Sequence, residues 1–260
     1  MDTLGNSAGS SNSCQKNSVK IENVKFWWPY SGNQTGYGYM YTMVIWIHSL
    51  TRGSDVYHQP FGIRKIEWNN THLLVNQKPF YFKGFGKHED SDIRGKGVDL
   101  PLITRYILLK ILSLFRDIVL HISINFRDFE LIKWIGANSF RTSHYPYAEE
   151  IMDFADRNGI MVIDECPGVN LHTFDEELLI NHQNVMKELI NRDKNRPSVI
   201  AWSIANEPRS HEEQSGVYFQ QVAQFSRDLD PQHRPITAAL NVDFNVDHAA
   251  PALDLVGINR

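Results

Sequence analysis

Between Gly136 and Arg260, apolar runs of strand length alternate with longer helix-like stretches, and no other feature of the chain restricts its fold as much. Gly136-Ala137-Asn138-Ser139-Phe140-Arg141-Thr142 leads into a helical stretch from Tyr147 to Asn158, and Gly159 opens a second run, Ile160-Met161-Val162-Ile163-Asp164-Glu165. Parallel strands need a long crossover, usually a helix, and this spacing fits one βαβ unit. Val199 to Ile204 repeats the pattern and Pro208 stops it. The periodicity predicts strands at 79–86, 136–143, 159–164, 198–205, 235–240 and 253–259, with helices at 148–158, 177–193 and 212–228. Asp193-Lys194-Asn195-Arg196-Pro197 closes the helix at 177–193, because proline cannot continue it. The fold class is therefore α/β. Six parallel strands where a closed barrel has eight read as an incomplete (β/α)8 TIM barrel over residues 78–260.

Upstream, aromatic and β-branched runs such as Tyr39 to Ile47 are broken by Gly and Ser, which predicts antiparallel strands over residues 19–77. Residues 1–18, rich in Ser, Asn and Gly, read as a flexible leader without the apolar stretch of a signal peptide. At 42% hydrophobic and 22% charged, the 260-residue chain has the make-up of a globular protein with a sizeable core. A net charge of -4 without a long basic run gives no reason to expect nucleic acid or an anionic membrane as partner. The two cysteines, Cys14 and Cys166, lie in different segments; a disulfide is not expected, and Cys166 reads as a small packed thiol.

Chemistry concentrates at strand ends. Trp202-Ser203-Ile204-Ala205-Asn206-Glu207-Pro208 sets a carboxylate beside an amide at the mouth of a buried run. Sugar-cleaving barrels use such a pair to protonate a leaving glycosidic oxygen, although a strand ending in a polar turn would look the same. Arg141 and His144 end one strand, and Asp164 and Glu165 end the next, as in barrels whose strands deliver side chains to one C-terminal face. His88, Glu89, Asp90 and Asp92 follow the first strand; they either line a pocket or brace loops through ion pairs. Adjacent residues do not converge readily on one ion, so no metal is assigned to them.

These motifs carry a resemblance. Trp27-Trp28-Pro29-Tyr30, Pro79-Phe80-Tyr81-Phe82, the run Lys87 to Gly97, Arg141 to Glu150, Val162 to Gly168 and Arg192 to Pro208 resemble glycoside hydrolase family two, within it the β-glucuronidase branch. The resemblance implies a retaining hydrolase of β-glucuronides that needs no cofactor, a homo-oligomeric full-length protein, and an immunoglobulin-like β-sandwich of which 19–77 holds a remnant. It implies Glu207 as acid/base, protonated at the start of the reaction and ionised when water attacks. Asn206 would donate to the sugar 2-hydroxyl, and Arg141 would support the nucleophile; an ion pair beneath the sheet is the plainer reading of Arg141. His144 and Asn241 would contact the sugar, His144 alternatively serving as a loop cap.

By the same resemblance the nucleophile glutamate belongs to a seventh strand beyond Arg260, as do a tyrosine after Asn259 and an Asn-x-Lys pair for the sugar carboxylate. A catalytically inactive fragment or pseudoenzyme is thus the competing reading, with β-galactosidase or β-mannosidase activity as a third. The resemblance also implies the lysosome, reached through a secretory route that residues 1–18 do not provide. Finally, Arg105 to Phe126 interrupt the first helix of the family pattern with an apolar insertion. Lys110, Arg116, Asp117 and His121 count against a membrane span there, leaving an added buried helix or, preferred, untranslated sequence retained from the gene.

Overall fold

Every residue of Val199–Asn206 is buried, so this strand has no solvent face and must lie inside a sheet covered on both sides. The computed structural model of the chain describes residues 19–31, 36–49, 51, 53–69, 71–91, 95–96 and 127–259. The leader at 1–18 and the insertion at 105–126 lie outside the described residues, as do Cys14 and Asp92.

In chain order the strands before the barrel are β1 (Tyr41–Ser49), β2 (Gly53–Phe61), β3 (Ile66–Trp68), β4 (Leu73–Val75) and β5 (Lys78–Phe80). β1 and β2 form an antiparallel ribbon, and β3, β4 and β5 a separate three-stranded antiparallel sheet. There follow β6 (Gly84–Lys87), the short pair β7 (Asp90–Ser91) and β8 (Gly95–Lys96), α1 (Arg127–Trp134), β9 (Ser139–Thr142) and α2 (Glu149–Asn158). The remainder is β10 (Met161–Glu165), α3 (Glu176–Asp193), β11 (Val199–Asn206), α4 (Gln214–Leu229), β12 (Ile236–Leu240), a 3-10 turn at Ala250–Ala252 and β13 (Leu255–Ile258). Six of these strands make one parallel sheet in the order β13-β12-β11-β10-β9-β6. The architecture is an incomplete (β/α)8 barrel preceded by antiparallel strands.

End signals and an apolar face are clearest in α3 and α2. Asp175 caps α3 by accepting from the Leu178 N–H at 2.8 Å, Glu176 and Glu177 fill its first turn, and Arg192 sits in its last. α2 buries Ile151, Met152 and Ala155 on one face and stops at Gly159, which takes a left-handed φ of 66°. A Cβ at Gly159 would stand 2.9 Å from the Tyr30 nitrogen, so the cap also admits the 28–30 segment. The main core joins Phe129 of α1, Met152 of α2, Met186 of α3 and Phe219 of α4 to Phe140, Trp202 and Ile236 of the sheet. A second cluster packs Trp27, Ile66, Leu73 and Val75 against Met161 and Ile200. Each large side chain sealed in this way contributes about 1.5–3 kcal/mol, enough for packing, rather than loops, to set the frame.

The expected strand at 79–86 is two elements. Residues Lys78–Phe80 pair antiparallel with β4, whereas Gly84–Lys87 pair parallel with β9. Asn138 pins the bend between them: its amide donates to the Tyr81 carbonyl at 3.0 Å, and its oxygen accepts from the Lys83 N–H at 2.8 Å. The other five strands and the three helices lie within a few residues of their expected positions. Among the described residues, no helix is long and apolar enough to cross a membrane.

Candidate active site

Parallel register brings the strand ends together. Ile163 lies opposite Arg141, Glu165 opposite Ser203, Asn206 opposite Ala239 and Leu240 opposite Ile258, so residues distant in sequence meet beyond the C-terminal ends of β9 to β13. Arg141 Nη1 donates to Glu165 Oε2 at 2.7 Å and to Asn206 Oδ1 at 3.0 Å. Ser203 donates to the same Glu165 oxygen at 2.7 Å. His144 is half-buried, with its Nδ1 3.7 Å from Glu165 Oε1.

Glu207 sits just past β11 with a φ of 49°, a conformation that costs a non-glycine residue about 1–2 kcal/mol. Its backbone N–H donates to the Ala239 carbonyl at 2.7 Å, and this bond holds the turn. The half-buried side chain is gripped by two amides: Asn241 donates to Oε2 at 3.1 Å and Asn259 to Oε1 at 2.8 Å. Asn259 also donates to Asn206 Oδ1 at 3.1 Å, linking the carboxylate to its neighbouring amide. A cavity of about 290 Å³ opens beside these amides, lined by Leu240, Asn241, Phe244, Val256, Ile258 and Asn259.

Glu207, Asn206, Arg141, His144 and Asn241 thus belong to one polar network: Asn241 bonds Glu207 and Arg141 bonds Asn206 directly, Asn259 bridges Glu207 and Asn206, and Glu165 joins Arg141 to the nearby His144. The sequence assigns no individual role to Glu165, Ser203 or Asn259. Glu165 carried a signal as the polar end of a strand; Asn259 carried none until β13 was placed beside β12. The run after β6 has a different part. Glu89 is buried and accepts from the Ala148 N–H at 3.4 Å, Lys87 pairs with Asp128 at 2.8 Å, and the Tyr147 hydroxyl lies between the carbonyls of Lys87 and Ser143. These contacts brace the loop after β9. His88 reaches the site, its ring 5.2 Å from that of His144.

Burial pushes the Glu165 carboxyl upward, while Arg141 and Ser203 pull it back. Asp164 is raised further, by burial and by the facing Asp193 carboxylate; its Oδ1 accepts from Thr142 at 3.1 Å, and its Oδ2 has no hydrogen-bond donor. Behind the strand ends, Cys166 Sγ lies 3.4 Å from His182 Nε2, and His182 Nδ1 lies 2.8 Å from the Tyr218 hydroxyl. Burial takes His182 down to about 4 and the Cys166 thiol upward, so this group is neutral and packs rather than reacts. Among the described residues, no group of three or more His, Cys, Asp or Glu is placed to hold a metal ion. Chemically, the arrangement sets the half-buried Glu207 carboxylate beside a side-chain amide whose oxygen is already occupied.

Known proteins share this frame. The family model "Glycosyl hydrolases family 2, TIM barrel domain" matches residues 66–114 and 119–256. Human β-glucuronidase is 43% identical over 247 residues, 93% of this chain and 34% of the relative. The structure of β-glucuronidase from an uncultured Clostridium is 45% identical, with a TM-score of 0.73 over 92% of this chain and 37% of that one. The Ruminococcus gnavus β-glucuronidase in complex with D-glucuronic acid is 38% identical, with a TM-score of 0.74 over 92% of this chain and 37% of that one. The chain spans about a third of the length of the curated relatives it matches. With the family model covering most of the residues and the strand-end carboxylate and amides standing on its barrel, the chain belongs to glycosyl hydrolase family 2.

Proposed function

We propose that these residues form the acid/base half of a retaining β-glucuronidase site, with Glu207 as the proton donor and acceptor. The observation that supports this most directly is the double amide grip on Glu207 from Asn241 and Asn259, next to an Asn206 whose oxygen is taken by Arg141. In the proposed reaction Glu207 gives its proton to the glycosidic oxygen as the bond to the anomeric carbon breaks. It then takes a proton from the water that releases the sugar. Asn206 donates to the sugar 2-hydroxyl, and His144 and Asn241 make further sugar contacts.

A retaining mechanism needs a second carboxylate about 5 Å away as nucleophile. In this proposal it comes from a seventh barrel strand beyond Arg260. The 260-residue polypeptide alone then binds the sugar without turning it over, which is the inactive-fragment reading in a specific form. The proposal includes a lysosomal setting and a homo-oligomeric full-length protein, supported only by kinship with mammalian β-glucuronidases. Calorimetry with D-glucuronic acid and with glucose, joined to an assay on a chromogenic β-glucuronide, tests the reading. Glucuronic acid is expected to bind in preference to glucose, with no turnover. Absence of binding to either sugar would defeat the site assignment, and turnover that vanishes in Glu207→Gln would defeat the claim of an external nucleophile.

A further inference from the structure

Glu165 ends β10 fully buried, between Arg141 of β9 and Ser203 of β11. Its Oε2 is served by both of those donors, and its backbone N–H donates to Thr142 Oγ1 at 2.8 Å. Its Oε1 is buried and accepts no hydrogen bond. A buried carboxylate whose second oxygen accepts no hydrogen bond and lies 3.7 Å from His144 Nδ1 is an expensive way to fill space, since an apolar residue of the same size would avoid the desolvation. What it does achieve is directional. The Arg141 nitrogen that it holds at 2.7 Å is the one that also donates to Asn206 Oδ1 at 3.0 Å. That oxygen receives a second donor, Asn259 Nδ2, at 3.1 Å. Two donors on one amide oxygen settle which way the amide is turned: Asn206 offers its NH2 group, and only that, to anything else that approaches.

We propose that Glu165 is a positioning residue: by holding the Arg141 guanidinium against Asn206, it fixes the Asn206 amide as a hydrogen-bond donor to a hydroxyl of the bound sugar. This rests on the reading of Asn206 and Glu207 as a sugar site. The geometry carries it, because Arg141 is the only residue among the described contacts that bonds both Glu165 and Asn206, and Ser203 steadies the carboxylate from the opposite side. Without Glu165 the guanidinium has one partner fewer, and the Asn206 oxygen keeps Asn259 alone.

The test uses the full chain with Glu165→Leu, which removes both acceptors, and Glu165→Asp, which keeps the charge but draws it back by one methylene. Binding of D-glucuronic acid and of its 2-deoxy analogue is measured for each. The wild type is expected to prefer the 2-hydroxyl sugar by about tenfold, the scale of one hydrogen bond to a buried donor. In both variants the preference falls to about twofold or less. A packing role alone would weaken the two sugars equally and leave their ratio unchanged, which would overturn the proposal. Crystal structures of the variants decide the matter even if the wild type binds neither sugar, an outcome that would defeat the function proposed for the site. An Arg141 nitrogen still within hydrogen-bond distance of Asn206 Oδ1 in both variants overturns the inference; its departure from that oxygen supports it. If Glu165→Leu does not fold, Glu165→Asp carries both readouts.

Discussion

Replacing Arg234 with Met would remove the cation at the heart of the barrel's opposite end and leave its partner charge in place. Arg234 and Asp230 are both fully buried, with Nη2 to Oδ1 at 2.7 Å and Nε to Oδ2 at 2.8 Å. The guanidinium also lies 4.4 Å above the Trp202 ring, whose Nε1 donates to Asp230 Oδ2 at 3.0 Å. In Arg234→Met, Asp230 keeps the Trp202 donor, the backbone N–H groups of residues 232 and 234 and the longer-range attraction of the buried Arg64, but loses its one hydrogen-bonded cation. Stranding one member of a buried pair costs about 3–5 kcal/mol, of the order of half the stability of an ordinary domain. Arg234 and its neighbours hold the Asp230 carboxyl well below the usual carboxylate range. A depressed folded pKa contributes stability that is present above the unfolded value and lost as pH falls toward the folded one. The deficit of the variant should therefore be full at pH 7 and shrink below about pH 4, where the orphaned carboxyl can take a proton. Urea unfolding followed by tryptophan fluorescence at the two pH values measures this. The double replacement Arg234→Met with Asp230→Leu should recover part of the loss, because no charge is left unpaired. A loss of less than about 1 kcal/mol at pH 7, or a double variant as unstable as the sum of the single ones, would refute the reasoning.

Asp164 behaves oppositely with pH: its folded pKa is raised, so its contribution is full below about pH 4 and is lost as pH rises through the folded value. Asp164→Asn, which offers a non-titrating N–H toward Asp193, should flatten that decline above about pH 4; an unchanged slope in denaturation midpoints would count against it. Cys166, sealed in the core with its thiol pushed upward, should resist alkylation until the protein unfolds, so peptide mass spectrometry showing modification at native urea concentrations would contradict its packing. Gly159→Ala should cost about 2 kcal/mol, from the left-handed φ of 66° and a Cβ pressed on Tyr30, read as a lowered melting temperature. For the insertion, mature transcript is expected to lack the codons between Arg105 and Phe126, joining Thr104 through one Arg to Asp128; cDNA that retains them throughout would refute this.

The grip on Glu207 could not have been read along the chain, and the reason is distance. Asn259 is 52 residues from Glu207, and Glu165 is 24 from Arg141; nothing local couples either pair. What joins them is the parallel register of neighbouring strands, which the structure sets by packing the helices against one face of the sheet and pairing β12 with both β11 and β13. Tertiary contact likewise divided the run at 79–86, because the Asn138 side chain reaches back to Tyr81 and Lys83 from the next strand. By contrast, the alternation of strand and helix from Gly136 onward was legible in the sequence, since apolar runs and stops such as Pro197 and Pro208 act over a few residues. So was the placing of Arg141, His144 and Asn206-Glu207 at strand mouths, where an apolar run gives way to polar residues. Local periodicity determined which residues stand at the barrel's end; only the folded sheet decided which of them touch, because a hydrogen bond between strand ends depends on a register that no single strand contains.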